Sequence, residues 1–342
     1  MSDSETSKRT RRGSGAITLH DVARLAGVSP ITASRAINKP EQVSPELLKR
    51  VEDAVARTGY VPNRMAGGLA SSKSKLIAAV VPSTVISVFN ETIESLNNTL
   101  FDSGYQLMLG QSDYSTEREE LLLDSVIGRR PDGIFLTGVL QPGKGRSRLM
   151  ASGIPVVETW DLTPTPIDML IGFSHKDIGS AVANYFIQKG KKRLAVIRAG
   201  DERADRRTIA YQEAIAQADL PPPFIVNVGG ERSIHSGRAA MAKILAEAPK
   251  TDAVFCSSDL LALGALTEAR HQNVEVPKQI AVMGFGDVPF VADMLPALST
   301  VRINGGEIGQ LAAQYLMDRA EGKTVLEPIV DVGFSIIERD TA

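Results

Sequence analysis

A chain of 342 residues, 43% hydrophobic and 23% charged, is long enough for two or three folding units around a sizeable apolar core. One cysteine, Cys256, excludes an internal disulfide, and no apolar stretch approaches the roughly 20 residues that a bilayer span needs. The net charge of −2 hides an asymmetry, +6 over residues 1–75 and −8 over the remainder, which is the distribution expected when one small module meets phosphate.

Residues 1–15 are rich in Ser, Thr, Lys, Arg and Gly and are expected to stay disordered until they meet a partner, although a plain solvated basic tail explains Lys8, Arg9, Arg11 and Arg12 equally well. No hydrophobic segment suited to a secretory signal opens the chain, so a cytoplasmic location is expected. Thr18, with Asp21 three residues later and Val22, Leu25 and Ala26 behind it, predicts a capped short helix. Gly27 supplies the turn that ends it. Ser29 caps a second helix, with Pro30 at its first position, where a missing N–H costs nothing. Two short helices on such a turn form a helix-turn-helix whose second helix can enter the DNA major groove; a ligand-free αα-hairpin shares the pattern. After NKPEQV, Ser44 and Pro45 start a third helix with Leu48, Val51 and Val55 on one face, and Gly59 closes it. These three helices, within residues 16–62, enclose a minimal all-α core. Residues 63–75 form a short segment followed by a Ser/Lys linker.

From Leu76 onward the texture changes. LIAAVV, YQLMLG, GIFLTG, IPVVE, RLAVIR, DAVFCS and IAVMGF are short apolar runs, alternating with helical patterns such as 117–127, 176–189 and 259–271. That alternation predicts parallel sheets buried on both faces, in two α/β lobes. The lobes are expected over about 76–173 with 303–329, and about 174–302 with 330–342. A ligand cleft would lie between them, at the strand C-termini. Cys256 lies inside an apolar run, where a buried structural thiol is expected, and the four histidines fall at no metal-ligand spacing.

The order of these parts resembles the lactose-repressor (LacI/GalR) family of bacterial transcription regulators. The motifs that carry it are TLHDVARLAGVSPITASRAIN and VSPELLKRVEDAVARTGYVPNRMAGGLAS, with DAVFCSSDLLALGAL, VPKQIAVMGFGDVP and PALSTVRI in the body. The match runs from about Ile17 to the C-terminus, and the stretch from Thr84 to Asp113 is similar to the gluconate-repressor branch. The resemblance implies a small helix-turn-helix head on a two-lobed, periplasmic-binding-protein-like α/β body. It also implies a homodimer on double-stranded, pseudo-palindromic operator DNA under the control of a small effector; release is expected for a catabolic sugar-acid regulator, with strengthened binding as the alternative. No leucine-heptad tail follows Ile337 to Asp340, so a dimer rather than a tetramer is expected.

By motif position, the recognition helix begins at Pro30 and Ile31 and carries Thr32, Ser34 and Arg35. Arg35 can bond guanine O6 and N7 bidentately, the strongest single base-reading contact. Thr32 and Ser34 suit phosphate or a thymine methyl, and Thr18, Ser29, Asn38 and Asn63 can donate to phosphate, fixing register. Ile31 would read a methyl or pack into the core. The family's hinge helix falls on residues 63–69, with Ala66 and Leu69 at the positions that enter the minor groove. Gly67 and Gly68 depart from the common pattern, and each costs a helix about 1 kcal/mol relative to alanine. The expectation is a labile hinge, unprotected against hydrogen exchange in the free protein.

For the cleft, the family pattern points to Ser83 and Phe89 after the first strand, Trp160 after VVET, Arg207, Ser258 beside Asp259, and the loop after IAVMGF. Trp160 can stack on a sugar face or sit in the core. Many members carry an acid directly after the Gly-aromatic pair. Here Gly286 holds that position and Asp287 follows it, while RAGDERADRR at 198–207 offers Arg203 and Arg207 among four arginines. Fewer acids and more guanidinium groups suit an effector with its own carboxylate, such as gluconate or 2-ketogluconate. Arginines that merely decorate a helix start are the plainer alternative. Two other readings remain at this level: a regulator of a neutral sugar, and a periplasmic solute-binding protein, which would lack residues 17–69. No enzyme and no cofactor are expected, because GFGD and GVSPIT are too short for nucleotide fingerprints and no paired catalytic group emerges.

Overall fold

The computed structural model describes residues 17–61, 73–84 and 88–342. The chain divides into two units, Met1–Ser74 and Lys75–Ala342. The tail at 1–15 and the hinge positions Asn63, Ala66, Gly67, Gly68 and Leu69 lie outside the described residues.

In the first unit, α1 (Leu19–Ala26) opens where Thr18 donates to the Asp21 carboxylate from its hydroxyl at 2.7 Å and its N–H at 3.0 Å. Gly27 takes φ 65°, the left-handed conformation that lets the chain turn sharply into the next helix. Ser29 caps α2 (Pro30–Asn38) by accepting from the Thr32 N–H, and Ser44 caps α3 (Pro45–Thr58) by accepting from the Leu47 N–H. The three helices close on Val22, Ala26, Ala36, Val51 and Ala54. Side chains this small let the helices approach closely but bury little area, so polar ties matter. Arg50 of α3 donates to the Ala26 carbonyl at 2.6 Å and the Gly27 carbonyl at 3.2 Å, satisfying acceptors that the end of α1 leaves open.

The second unit carries two six-stranded sheets. In chain order the first lobe contributes β1 (Leu76–Val81), α4 (Asn90–Asp102), β2 (Gln106–Gln111), α5 (Thr116–Gly128), β3 (Gly133–Thr137), α6 (Lys144–Ser152), β4 (Val156–Thr159) and β5 (Met169–Gly172). The second contributes α7 (His175–Gln188), β6 (Leu194–Arg198), α8 (Glu202–Gln217), β7 (Phe224–Asn227), α9 (Ile234–Glu247), β8 (Ala253–Cys256), α10 (Asp259–His271), β9 (Ala281–Phe285) and β10 (Ser299–Arg302). The chain then returns through α11 (Gly305–Ala320) and β11 (Ile329–Asp331) before ending on β12 (Ser335–Ile337).

The sheet orders are β11-β5-β4-β3-β1-β2 and β12-β10-β9-β8-β6-β7. The sheets are parallel as expected, every pairing but that of β10 with β12 being so, and β12 adds one antiparallel edge strand. The last crossing also falls later than expected. Ile329, Val330 and Asp331 pair with β5 of the first lobe, so the chain leaves that lobe after Asp331.

Strand residues alternate between the two faces of each sheet. In β1, Ile77, Ala79 and Val81 join the large central cluster, while Ala78 and Val80 pack with Leu123 of α5 and Leu149 of α6. Both sheets have helices on both faces, and in each the order reverses beside its first strand, β1 or β6. That reversal opens a crevice at the strand C-termini.

One close approach fixes how α7 meets α8. A Cβ on Gly179 of α7 would collide with the backbone carbonyl of Arg207 on α8. Gly179→Ala therefore pushes the two helices apart, and we expect a loss of about 1–3 kcal/mol in denaturant unfolding.

Candidate functional site

A cavity of about 340 Å³ lies where the strand C-termini of the two lobes face each other. The first lobe lines it with Ser83, Val88, Phe89, Tyr114 and Trp160, and the second with Arg203, Arg207, Ser258, Asp259 and Phe285. Of the seven residues expected there, Ser83, Phe89, Trp160, Arg203, Arg207 and Ser258 converge on one space.

Asp287 is the correction. It is not in the lining, and its carboxylate pairs with Arg302 at 2.5 Å and Arg339 at 2.8 Å. Gly286, at φ 129°, packs against Val88 and turns the chain so that Asp287 leaves the cavity. The acid that does line the cavity is Asp259, which accepts from Thr300 Oγ1 at 2.6 Å and from the Val288 N–H at 2.9 Å.

The apolar wall is built around Trp160, only 2% exposed, whose Nε1 donates to Thr92 Oγ1 at 3.1 Å. Its ring meets Phe89 edge-on at 4.8 Å and Phe173 at 5.6 Å. Trp160 sits at φ 62°, a conformation that costs a tryptophan about 1–3 kcal/mol. That turn presents its carbonyl to His175, which donates from Nε2 at 3.1 Å. Trp160 is thus core and wall together, with its ring orientation fixed before any ligand arrives.

The polar wall is cationic. Asp201 caps α8 by accepting from the Arg203 and Ala204 N–H groups, each at 3.1 Å, and pairs with Arg232. Burial works to raise its carboxyl, but Arg232, Arg203 and Arg207 outweigh burial and hold it below the usual carboxylate range. The guanidinium of Arg203 lies 5.7 Å over Phe89 and that of Arg232 4.1 Å over Tyr114. Of the four arginines at 198–207, two point elsewhere: Arg198 pairs with Asp205 and Arg206 with Asp161.

Arg207 differs from the rest. It is 5% exposed, stacks 4.1 Å over Phe285 and bonds His175 Nδ1 at 2.8 Å. Its Nε has no hydrogen-bond partner, and among the described residues no carboxylate lies within ion-pair distance. Burial, opposed by Asp201, pushes it down to about 10, so it stays cationic at neutral pH. Asp201 and Asp161 offset part of the cost of burying this cation from beyond ion-pair distance, and an anionic ligand in direct contact would offset more.

Sequence reasoning passed over His175, Arg232, Tyr114 and Asp201. Tyr114, His175 and Asp201 share a signal of position, each lying three residues past the end of a strand, whereas Arg232 lies five past β7.

Asp259 gives the site a pH signature. Burial pushes its carboxyl up to about 6, against Thr300 and Val288, which lower it. An unfolded Asp titrates near about 3.9, so folding takes up a proton between the two values. The contribution of this group to stability therefore falls as pH rises from about 4 to about 6, by on the order of 2–3 kcal/mol. Melting curves of Asp259→Asn against the parent across that window are expected to remove this slope.

In the first unit, Ile31 is 73% exposed, and Arg35 and Asn38 are exposed on the same helix, whose other side buries Ala33 and Ala36. Ile31 is therefore surface, not core. Pro30 begins α2, with Thr32 and Ser34 half-buried. Ser29 Oγ lies 2.8 Å from Thr32 Oγ1, and Asn38 donates to the Ser34 carbonyl at 2.9 Å.

Residues 18–63 match the family described as bacterial regulatory proteins, lacI family, and residues 183–342 match the periplasmic binding protein-like domain. The chain is 37% identical to the HTH-type transcriptional regulator GntR of Pseudomonas aeruginosa, over the full length of both. It belongs to the LacI family of bacterial regulatory proteins. The GntR regulator of Escherichia coli K12 is 32% identical over 93% of this chain and 96% of that one. A LacI family transcriptional regulator from Silicibacter pomeroyi superposes with a TM-score of 0.89 at 30% identity, covering 95% of this chain and 99% of that one. The chain is thus a DNA-binding transcriptional regulator. Among the described residues, no helix is long and apolar enough to cross a membrane.

Proposed function

We propose that this LacI family regulator represses sugar-acid catabolism genes and is released from a palindromic operator by a sugar acid such as gluconate or 2-ketogluconate. The observation that carries the reading is Arg207, a buried cation lining the cavity with no carboxylate partner. A ligand carboxylate would meet Arg207, with Arg203 beside it. The hydroxyls would reach Ser83, Ser258 and Asp259, and the carbon chain would lie along Phe89 and Trp160. The departure of Asp287 removes an acid that would repel such a ligand. Ligand closure of the two lobes would alter the dimer's presentation of its two heads, so effector and operator affinities are coupled reciprocally. On DNA, exposed Ile31 and Arg35 would read each half-site while Thr18, Ser29 and Asn38 fix register on phosphate.

Isothermal titration with gluconate, 2-ketogluconate and glucose tests the effector. Binding of an acid and none of glucose is expected; tight glucose binding with no acid binding overturns the reading.

A further inference from the structure

His175 sits at the first position of α7, where Ser174 caps the helix by accepting from the Asp177 N–H. Both ring nitrogens are engaged, and their partners dictate its state. A carbonyl only accepts, so Nε2, 3.1 Å from the Trp160 oxygen, carries the hydrogen. A guanidinium only donates, so Nδ1, 2.8 Å from Arg207 Nη1, presents its lone pair. The imidazole is neutral and in one tautomer. Its other neighbours agree: the rings of Phe173 and Phe285 flank it, and burial, with Arg207, Arg203 and Arg206 of α8, holds it well below the usual histidine range.

We infer that His175 is the positioning residue that aims Arg207 into the cavity without taking up its guanidinium in a direct ion pair, and so sets the preference for an anionic ligand. Arginine on a buried surface is commonly held by a carboxylate, which fixes the guanidinium and neutralises it together. An imidazole acceptor supplies the orientation alone. The strained turn at Trp160 and the close α7–α8 packing at Gly179 both place this ring, so the device is built from three separate elements.

The inference rests on the sugar-acid reading, and two near-isosteric variants separate them. Asn at 175 keeps an acceptor where Nδ1 stands, and Asp adds a charge at the same place. Titrating the full-length protein with gluconate and with gluconamide, its uncharged counterpart, should give a preference for gluconate of about 50-fold or more in the parent. His175→Asn is expected to retain that preference within about fivefold and His175→Asp to lose it. Equal discrimination in all three proteins, or its loss in Asn as complete as in Asp, overturns the inference. If the parent binds neither compound, the effector reading fails by itself, and the imidazole nitrogen signals of the unliganded full chain still decide. A neutral Nε2–H ring at about pH 6, where exposed histidines are already titrating, supports the inference. A protonated ring or the Nδ1–H tautomer contradicts it.

Discussion

Arg207→Leu is expected to abolish the response to sugar acids while leaving operator affinity as it was. Removing one partner of a desolvated charge pair costs about 2–5 kcal/mol, so gluconate affinity should fall by roughly 30-fold to several thousand-fold in titration calorimetry. The ligand-free protein should lose little, because relief from burying a cation that makes no direct ion pair, with the apolar contact to Phe285 kept, works against the lost bond to His175 Nδ1 and the lost attraction to Asp201. A melting temperature close to that of the parent therefore accompanies the lost affinity. Arg207→Lys keeps the charge without the planar fork, and we expect an intermediate loss of about tenfold. Retained gluconate binding in the leucine variant would remove Arg207 from the site.

The second large effect belongs to the head. Arg35 is exposed on α2, one residue before buried Ala36. Arg35→Ala should thus leave the three-helix core folded, since no packing is lost. A bidentate guanine contact is worth about 1–3 kcal/mol, and a two-fold symmetric complex loses it twice. Specific operator affinity should fall by roughly 30-fold to 10⁴-fold at fixed salt, measured by fluorescence anisotropy. Binding to unrelated DNA, which rests on phosphate contacts, should change far less. An equal loss on both DNAs would make Arg35 a phosphate contact instead.

Local chemistry explains which features could be read from the sequence. Thr18, Gly27, Ser29, Pro30 and Ser44 act within three or four residues of themselves, so the helices of the head begin and end where these residues place them. The apolar strand runs were equally plain, because a strand buried on both faces needs a continuous apolar stretch. β12 is different. Its three residues pair antiparallel with β10 some 35 positions away, and nothing in SII marks its direction.

The cavity shows the same division. Ser83, Trp160 and Ser258 lie within two residues of a strand end, and Phe89 opens the helix after β1, so their place in the lining follows from the topology. Asp287 also follows a strand, yet the rotation at Gly286 sends it to Arg302 and Arg339. Sequence spacing counts residues but does not carry that rotation. The pairing of His175 with Arg207 was hidden for a related reason, since it depends on two helices meeting at Gly179.

The most direct test of the whole account is release of the full-length protein from its operator by gluconate and by gluconamide, followed by anisotropy. Release by gluconate, with little or none by gluconamide at the same concentration, is the predicted result. Equal release by both would show that the cavity does not select a carboxylate, and would contradict the account at its centre.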